Sequence, residues 1–148
     1  MSFKNLPAFK KRLRKRLETN PAENIKKAMV RSTDVVRNEV VTSISAGGTG
    51  RTYRKYNPNR THQASSSGNP PATDTGVLKS GISTRVEVER NALVGKIIAY
   101  APTNKGDNYA LFLEFGTTDM EARPFMQPAL DKNAKKIQQI FKSEGVIT

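Results

Sequence analysis

The stretch "ISTRVEVERNALVGKIIAY", Ile82 to Tyr100, decides the fold class of this chain. From Ile82 to Glu89, apolar or β-branched residues alternate with polar ones, which is the period of two of a half-buried strand. Arg90-Asn91-Ala92 turns the chain, and Leu93–Tyr100 follows as a second, more uniformly apolar strand. Two strands joined by so short a turn predict an antiparallel pair, in which Ile82, Thr84, Val86 and Val88 face the core.

A long amphipathic helix is predicted upstream of these strands. Asn20 is a helix cap, Pro21 suits the first turn, and Glu23 completes a capping box. Ala28 and Thr33 lie on the side of the helix where apolar residues recur at steps of three or four. These apolar residues are Ile25, Met29, Val36, Val40 and Ile44. The spacing predicts about six helical turns, ended by Gly47-Gly48.

Further helical elements are predicted downstream. Thr75–Ser80 is expected to form a short helical turn, and Tyr109–Phe115 a helical turn or a third strand. After Pro124 an amphipathic helix is predicted from the spacing of Phe125, Leu130, Ile137, Ile140 and Phe141. We therefore predict an α+β domain, in which a small antiparallel sheet is packed by a long N-terminal amphipathic helix and a C-terminal helix.

The 148 residues suit one domain, expected over 20–148, with a basic extension over 1–19. Phe9, Leu13 and Leu17 give that extension a narrow apolar stripe on a very basic helix, which favours docking on protein or nucleic acid over membrane binding. The basic residues expected to dock are Lys10, Lys11, Arg12, Arg14, Lys15 and Arg16.

Residues 45–75 form a segment rich in Gly, Ser, Pro and Asn, without a helical or strand period. We predict a long basic arm, flexible or ordered by a partner, or a β-hairpin loop. Its cations can neutralise phosphates and its tyrosines can stack on bases, although an acidic protein surface would suit the same composition. The predicted contact residues are Arg51, Tyr53, Arg54, Lys55, Tyr56 and Arg60.

The positive charge is concentrated in the first part of the chain. The net charge is +12; residues 1–62 hold 15 Lys and Arg against 4 Asp and Glu, a net of +11, and residues 63–148 hold 10 against 9. This asymmetry favours a polyanion or an acidic protein as partner over a merely solubilising tail.

No signature of an enzyme or a cofactor site is found. Without cysteine the chain has no disulfide, no thiolate zinc site and no Cys nucleophile. The single histidine, His62, lies in the basic segment and is expected to be exposed. The carboxylates are scattered, and no phosphate-binding or dinucleotide motif occurs. With no apolar run long enough to span a bilayer, we expect a non-enzymatic protein without metal, cofactor or membrane contact.

Three blocks, in this order and spacing, resemble the tailed-phage neck and tail-completion proteins, the tail-component family encoded beside the head–tail joining genes. The resemblance covers about Gly68 to Leu130. The blocks are Pro70-Pro71 with Thr75-Gly76 and Leu78; Tyr109-Ala110 with Glu114-Phe115-Gly116-Thr117; and Arg123-Pro124-Phe125-Met126 with Pro128-Ala129-Leu130.

The resemblance implies a structural virion protein. Copies would form a ring, sixfold or twelvefold, in the connector that joins the portal and adaptor to the tail terminator or tail tube around the DNA channel. The protein would assemble in the host cytoplasm and reside in the virion. A non-sequence-specific nucleic-acid-binding module is the alternative.

The second and third blocks together suggest a structural corner before the last helix. Gly116 allows a tight turn, Arg123 offers a fork to a carboxylate, and Glu114 is expected to pair with an arginine of this chain or the next. Helical spacing places Phe125 and Leu130 in the core. The expected subunit interface comprises Glu114, Phe115, Gly116, Thr117, Thr118 and Arg123.

Overall fold

A computed structural model describes Pro7, Lys10, Lys11 and residues 20–147 of the chain. It confirms the α+β class, with two separate two-stranded antiparallel sheets between the helices. In chain order the elements are α1 (Pro21–Ser45), β1 (Thr52–Tyr56), β2 (Asn59–Gln63), α2 (Val77–Ser80), β3 (Ile82–Glu89), β4 (Ala92–Ala99), α3 (Tyr109–Phe115) and α4 (Met126–Ser143).

Helix α1 begins where the sequence predicts. The side chain of Asn20 accepts a hydrogen bond from the Ala22 amide at 3.2 Å, and Pro21 is the first helical residue. Glu23 does not complete the expected capping box, because its carboxylate pairs with Lys27 one turn along at 2.8 Å. The helix extends over 25 residues to Ser45, about one turn more than expected.

The β3–β4 hairpin lies against α1. Its register runs from Ile82 opposite Ala99 to Glu89 opposite Ala92, so Arg90 and Asn91 form the turn, both with positive φ. The prediction that Val88 lies in the core is wrong, because this residue lies beside the turn and is largely exposed.

Strand β4 approaches α1 closely at Gly95. A Cβ at this position would lie 2.5 Å from Cγ2 of Thr33 and 2.7 Å from Sδ of Met29. Only a residue without a side chain allows the helix to lie so near the strand, which explains a glycine inside an apolar strand.

Helices α1 and α4 run antiparallel and enclose the core with α2, α3 and β3. Arg31 pairs with Glu144 and Glu39 pairs with Lys132, which fixes the opposite directions of the two helices. The buried cluster comprises Val36, Val40, Ile44, Leu78, Ile82, Ala101, Ala110, Leu113, Phe125 and Ala129. Phe125 is in the core as predicted, whereas the core prediction for Leu130 is wrong, since this residue is exposed.

Little of the basic extension falls within the described residues. Lys10 and Lys11 are helical and exposed, while the predicted docking residues Arg12, Arg14, Lys15 and Arg16 lie outside the described part. In that described part, no helix combines the length and the hydropathy needed to cross a bilayer.

Candidate functional site

The basic segment forms a β-hairpin within the single chain. Strands β1 and β2 pair from Thr52 opposite Gln63 to the two-residue turn at their tips. The hairpin is closed at its base, where the Gly50 amide donates to the Ala64 carbonyl at 2.8 Å and the Ala64 amide donates to the Arg51 carbonyl at 3.0 Å. Of the two forms predicted for this segment, the hairpin is therefore the one adopted.

One face of this hairpin is held against the body of the domain by Asp74. Directly opposed residues of an antiparallel pair share a face, and the face directed at Asp74 carries Lys55, Arg60 and His62, together with Tyr53, which is opposite His62. Lys55 and Arg60 both pair with the Asp74 carboxylate, and Arg60 also donates to the Asp74 backbone carbonyl at 3.2 Å. Burial disfavours the charged carboxylate, but the hydrogen bonds from Lys55 and Arg60 outweigh it and lower the pKa of Asp74.

His62 is not exposed, contrary to expectation. Its side chain retains 16% of its accessible surface, and its Nδ1 lies 3.8 Å from Oδ1 of Asp74. The prediction was wrong because it assumed a loop, whereas pairing of β1 with β2 turns His62 toward the carboxylate.

The remaining cations of the hairpin lie against its tyrosines. The Arg51 guanidinium lies 5.4 Å from the centre of the Tyr53 ring, and that of Arg54 lies 5.6 Å from the Tyr56 ring. Tyr56 is 80% exposed, and Arg51 and Arg54 take part in none of the ion pairs found within residues 20–147. The predicted contact set thus divides into two cations that share the single charge of Asp74 and two Arg–Tyr pairs, whose tyrosines lie on opposite faces of the hairpin.

Glu114 has a role inside the chain that the sequence did not indicate. Its carboxylate accepts hydrogen bonds from the amides of Phe125 at 2.8 Å, Met126 at 3.0 Å and Gln127 at 3.0 Å. These amides belong to the start of α4, where backbone donors lack helical acceptors and the helix dipole favours a negative charge. Glu114 therefore caps α4 from α3 instead of pairing with an arginine of this chain.

The tight turn predicted at Gly116 is confirmed. Gly116 has φ +76° and ψ −179°, a conformation essentially restricted to glycine. A Cβ here would lie 2.8 Å from the Met120 carbonyl oxygen and 3.0 Å from the Ala122 amide nitrogen. The turn from Thr117 to Met120 folds back directly over this glycine.

Arg123 is directed into the chain. Its amide donates to the Leu113 carbonyl at 2.7 Å, which connects the corner to α3. Burial raises the pKa of Tyr109, and the guanidinium charge of Arg123 opposes that rise. The Nε of Arg123 is buried and has no hydrogen-bond partner among the described residues. Of the expected interface residues, Phe115, Thr117 and Thr118 are the exposed ones.

An apolar groove of about 610 Å³ lies between β4 and the helices α3 and α4. Leu111 is 53% exposed, Phe115 77% and Leu130 44%, so large apolar side chains face solvent along it. The remaining lining residues are Val36, Gly95, Ile97, Ala99, Ala110, Glu114, Phe125, Met126 and Gln127. The lining carries one carboxylate and no basic residue.

One side of the apolar groove is a free strand edge. The Tyr100 amide donates to the Gly81 carbonyl at 3.0 Å, and hydrogen-bonded pairs alternate with non-bonded ones along an antiparallel ladder. The backbone groups of Leu93, Gly95 and Ile97 therefore point away from β3. Within the described ranges none of them has a hydrogen-bond partner, so β4 presents an unprotected edge.

Residues that could bind a metal are not brought together. Among the residues that the structure covers, no three His, Asp or Glu side chains are grouped closely enough to hold an ion. No family model, curated protein or solved structure matches this chain.

Sequence reasoning missed Asp74 as the anchor of the hairpin, and it missed Leu111 and Leu130 as exposed residues of the groove. A signal for Asp74 exists, since it is the first acidic residue after Glu39 and follows four basic residues. For Leu111 no such signal exists, because local sequence does not show which side of so short a helix is covered.

Proposed function

We propose that the chain is a structural protein that forms a ring in the head–tail connector of a tailed phage, without enzymatic activity. In the virion it would contact the portal and adaptor on one side and the tail terminator or tail tube on the other. The apolar groove is the observation that carries this proposal, together with the resemblance of the three sequence blocks.

The apolar groove supports assembly because solvent-exposed apolar surface of this kind is costly in a monomer. Contiguous apolar patches commonly mark protein interfaces. Phe115 is 77% exposed although it belongs to a helix whose neighbours Ala110 and Leu113 are buried. Burial of one such aromatic side chain is worth about 1.5–3 kcal/mol, so a neighbouring subunit would gain affinity by covering it.

The basic hairpin supports a position beside DNA. Arg51 pairs with no carboxylate of residues 20–147, and the single charge of Asp74 compensates only one of its two partners, Lys55 and Arg60, so each copy in a ring would present positive charge. Repetition around a channel would give a positive lining while each subunit makes few strong phosphate contacts. Such a lining tolerates passage of DNA, because weak contacts exchange quickly.

The experiment is assembly of the full chain at rising concentration, followed by sedimentation velocity and electron microscopy, alone and with the portal–adaptor complex. Wild type is expected to form closed rings, and Phe115→Asp is expected to remain monomeric. Val88→Asp is the matched control, since Val88 is 72% exposed but lies outside the groove. A wild-type chain that stays monomeric even with the connector proteins would contradict the proposal.

A nucleic-acid-binding module is the second candidate, favoured by the two exposed Arg–Tyr pairs. It predicts DNA binding by the isolated chain, with affinity that falls steeply as salt rises. Replacing Arg51 and Arg54 by Ala should weaken binding more than replacing Lys55 and Arg60, whose side chains are held by Asp74. Equal effects of the two pairs, or binding independent of salt, would exclude this use of the hairpin.

A further inference from the structure

We propose that the β1–β2 hairpin of one copy occupies the apolar groove of the next copy. This inference rests on the proposed ring and adds the two surfaces that meet in it. Both surfaces are present on every chain, so each subunit would supply a hairpin to one neighbour and a groove to the other.

The charges of the two surfaces are complementary. Residues 49–63 carry Arg51, Arg54, Lys55 and Arg60 and no acidic residue. Residues 110–122, which form one wall of the groove and the turn beyond it, carry three acidic residues and no basic one. These acidic residues are Glu114, Asp119 and Glu121. Because Glu114 caps α4, Asp119 and Glu121 are the carboxylates through which this surface would attract a basic hairpin.

The side chains are also suited to each other. Tyr56 is 80% exposed and lies on the hairpin face directed away from Asp74, where it offers a flat apolar ring with a polar tip. Phe115 and Leu111 offer apolar surface without a polar group, so this ring can be buried while its hydroxyl group stays at the rim. Asp119 and Glu121, both exposed just beyond Phe115, would then receive the guanidinium group of Arg54, which lies on the same face as Tyr56.

The backbones provide a second, independent match. Strands β1 and β2 form a two-stranded sheet of their own, so the outer edge of β1 pairs with no other strand of the described residues. The free edge of β4 borders the groove. Addition of an extended strand to such an edge gives affinity through main-chain hydrogen bonds, while side-chain pockets give specificity.

The contact must join different chains, and it must be head to tail. Asp74 holds the hairpin in its own chain, and none of residues 49–63 lines the groove. Because the two surfaces consist of different residues, the interface is heterologous. Repetition of a heterologous interface closes into a ring when the rotation between subunits permits.

Cysteine cross-linking tests this directly, because the chain contains no cysteine. Full-length Tyr56→Cys and Phe115→Cys chains are mixed and oxidised, and the disulfide-linked heterodimer is quantified. As matched control, Tyr56→Cys is mixed with Val88→Cys, whose residue is similarly exposed but outside the groove. Docking raises the effective concentration of the paired thiols, so the yield with Phe115→Cys should exceed the control about tenfold or more.

A charge-reversal pair provides a readout without cysteines. Arg54→Glu should abolish association, and Asp119→Arg together with Glu121→Arg on a second chain should restore it in the mixture. Restored association supports the contact, whereas no rescue contradicts it.

The outcomes separate this inference from the proposed function. Closed rings in micrographs with equal cross-linking in both mixtures would overturn the hairpin contact and leave the ring intact. Specific cross-links that yield only open chains or pairs, with no ring alone or with the portal–adaptor complex, would support the contact and contradict the ring.

Discussion

At the residue scale, Glu114 is a helix cap that replaces the expected partner of an arginine. Its three amide contacts lead us to expect that Glu114→Ala lowers the free energy of unfolding by about 2 kcal/mol, since capping residues contribute up to about that amount. Urea denaturation measures the change.

The control for Glu114 is Glu121→Ala, because Glu121 is exposed and a surface substitution of this kind should change stability by less than about 0.5 kcal/mol. The stability of Glu114→Gln should lie between those of the two alanine variants, because an amide oxygen can still accept a hydrogen bond but carries no charge to balance the helix dipole. Equal stability of the two alanine variants would show that the cap contributes nothing.

Gly116 permits a prediction with an internal control. Gly68 has the same φ of +76°, but a Cβ there would meet no atom within 4 Å. Gly68→Ala should cost about 1–2 kcal/mol, the strain of a left-handed alanine. Gly116→Ala should lower the free energy of unfolding by at least about 1 kcal/mol more than Gly68→Ala does. The new Cβ would overlap the Met120 carbonyl, and overpacking carries a penalty of that size. Thermal and urea unfolding of both variants measure the difference, and equal losses would contradict the close approach.

At the scale of elements, Asp74 determines whether the hairpin stays against the body. Asp74→Asn removes the charge that pairs with Lys55 and Arg60, so the hairpin should open more often. Trypsin cleavage between Arg51 and Arg60 should then accelerate, about tenfold for each 1.4 kcal/mol lost. Asp107→Asn is the control, since Asp107 is exposed in a different loop; equal rates in the two variants would contradict the anchor.

The pH dependence of this anchor follows from the lowered pKa of Asp74. A carboxylate whose pKa is lowered by folding stabilises the fold fully when the pH is above its pKa in the unfolded chain, about 3.9. This stabilisation is lost as the pH falls through its pKa in the folded state. Hydrogen exchange of the hairpin amides should therefore show the same protection factors at pH 5 and pH 7, with protection lost toward pH 3. A loss of protection already between pH 7 and pH 5 would contradict the assignment of the anchor to Asp74.

At the scale of the whole molecule, the proposed association depends on the distribution of charge. In the proposed contact the basic hairpin is attracted by Asp119 and Glu121 of the next copy, and the Debye length falls from about 10 Å at 0.1 M salt to about 3 Å at 1 M. Sedimentation of the nucleic-acid-free chain should therefore show smaller species as salt rises. If the species grow with salt, apolar contact dominates and the electrostatic part of the contact is refuted.

The sequence by itself determined the periodic elements. The capped start of α1, the alternation in β3, the short turn at Arg90 and Asn91, and the amphipathic C-terminal helix all follow from local chemistry. Gly116 belongs to the same class, because its need for positive φ is a property of the chain at that point.

The tertiary structure alone decided which faces are covered and which charges meet. Strands β1 and β2 are not evident from the sequence because both faces of that hairpin carry polar residues, and the alternation of exposed and half-buried residues in β2 has no counterpart in hydrophobicity. Asp74 meets Lys55 across 19 residues of sequence, and Glu114 meets the start of α4 across 11. Leu130 remained exposed although its spacing suits the core. Contacts between residues distant in the chain depend on how elements pack, and packing is a property of the assembled fold rather than of any local segment.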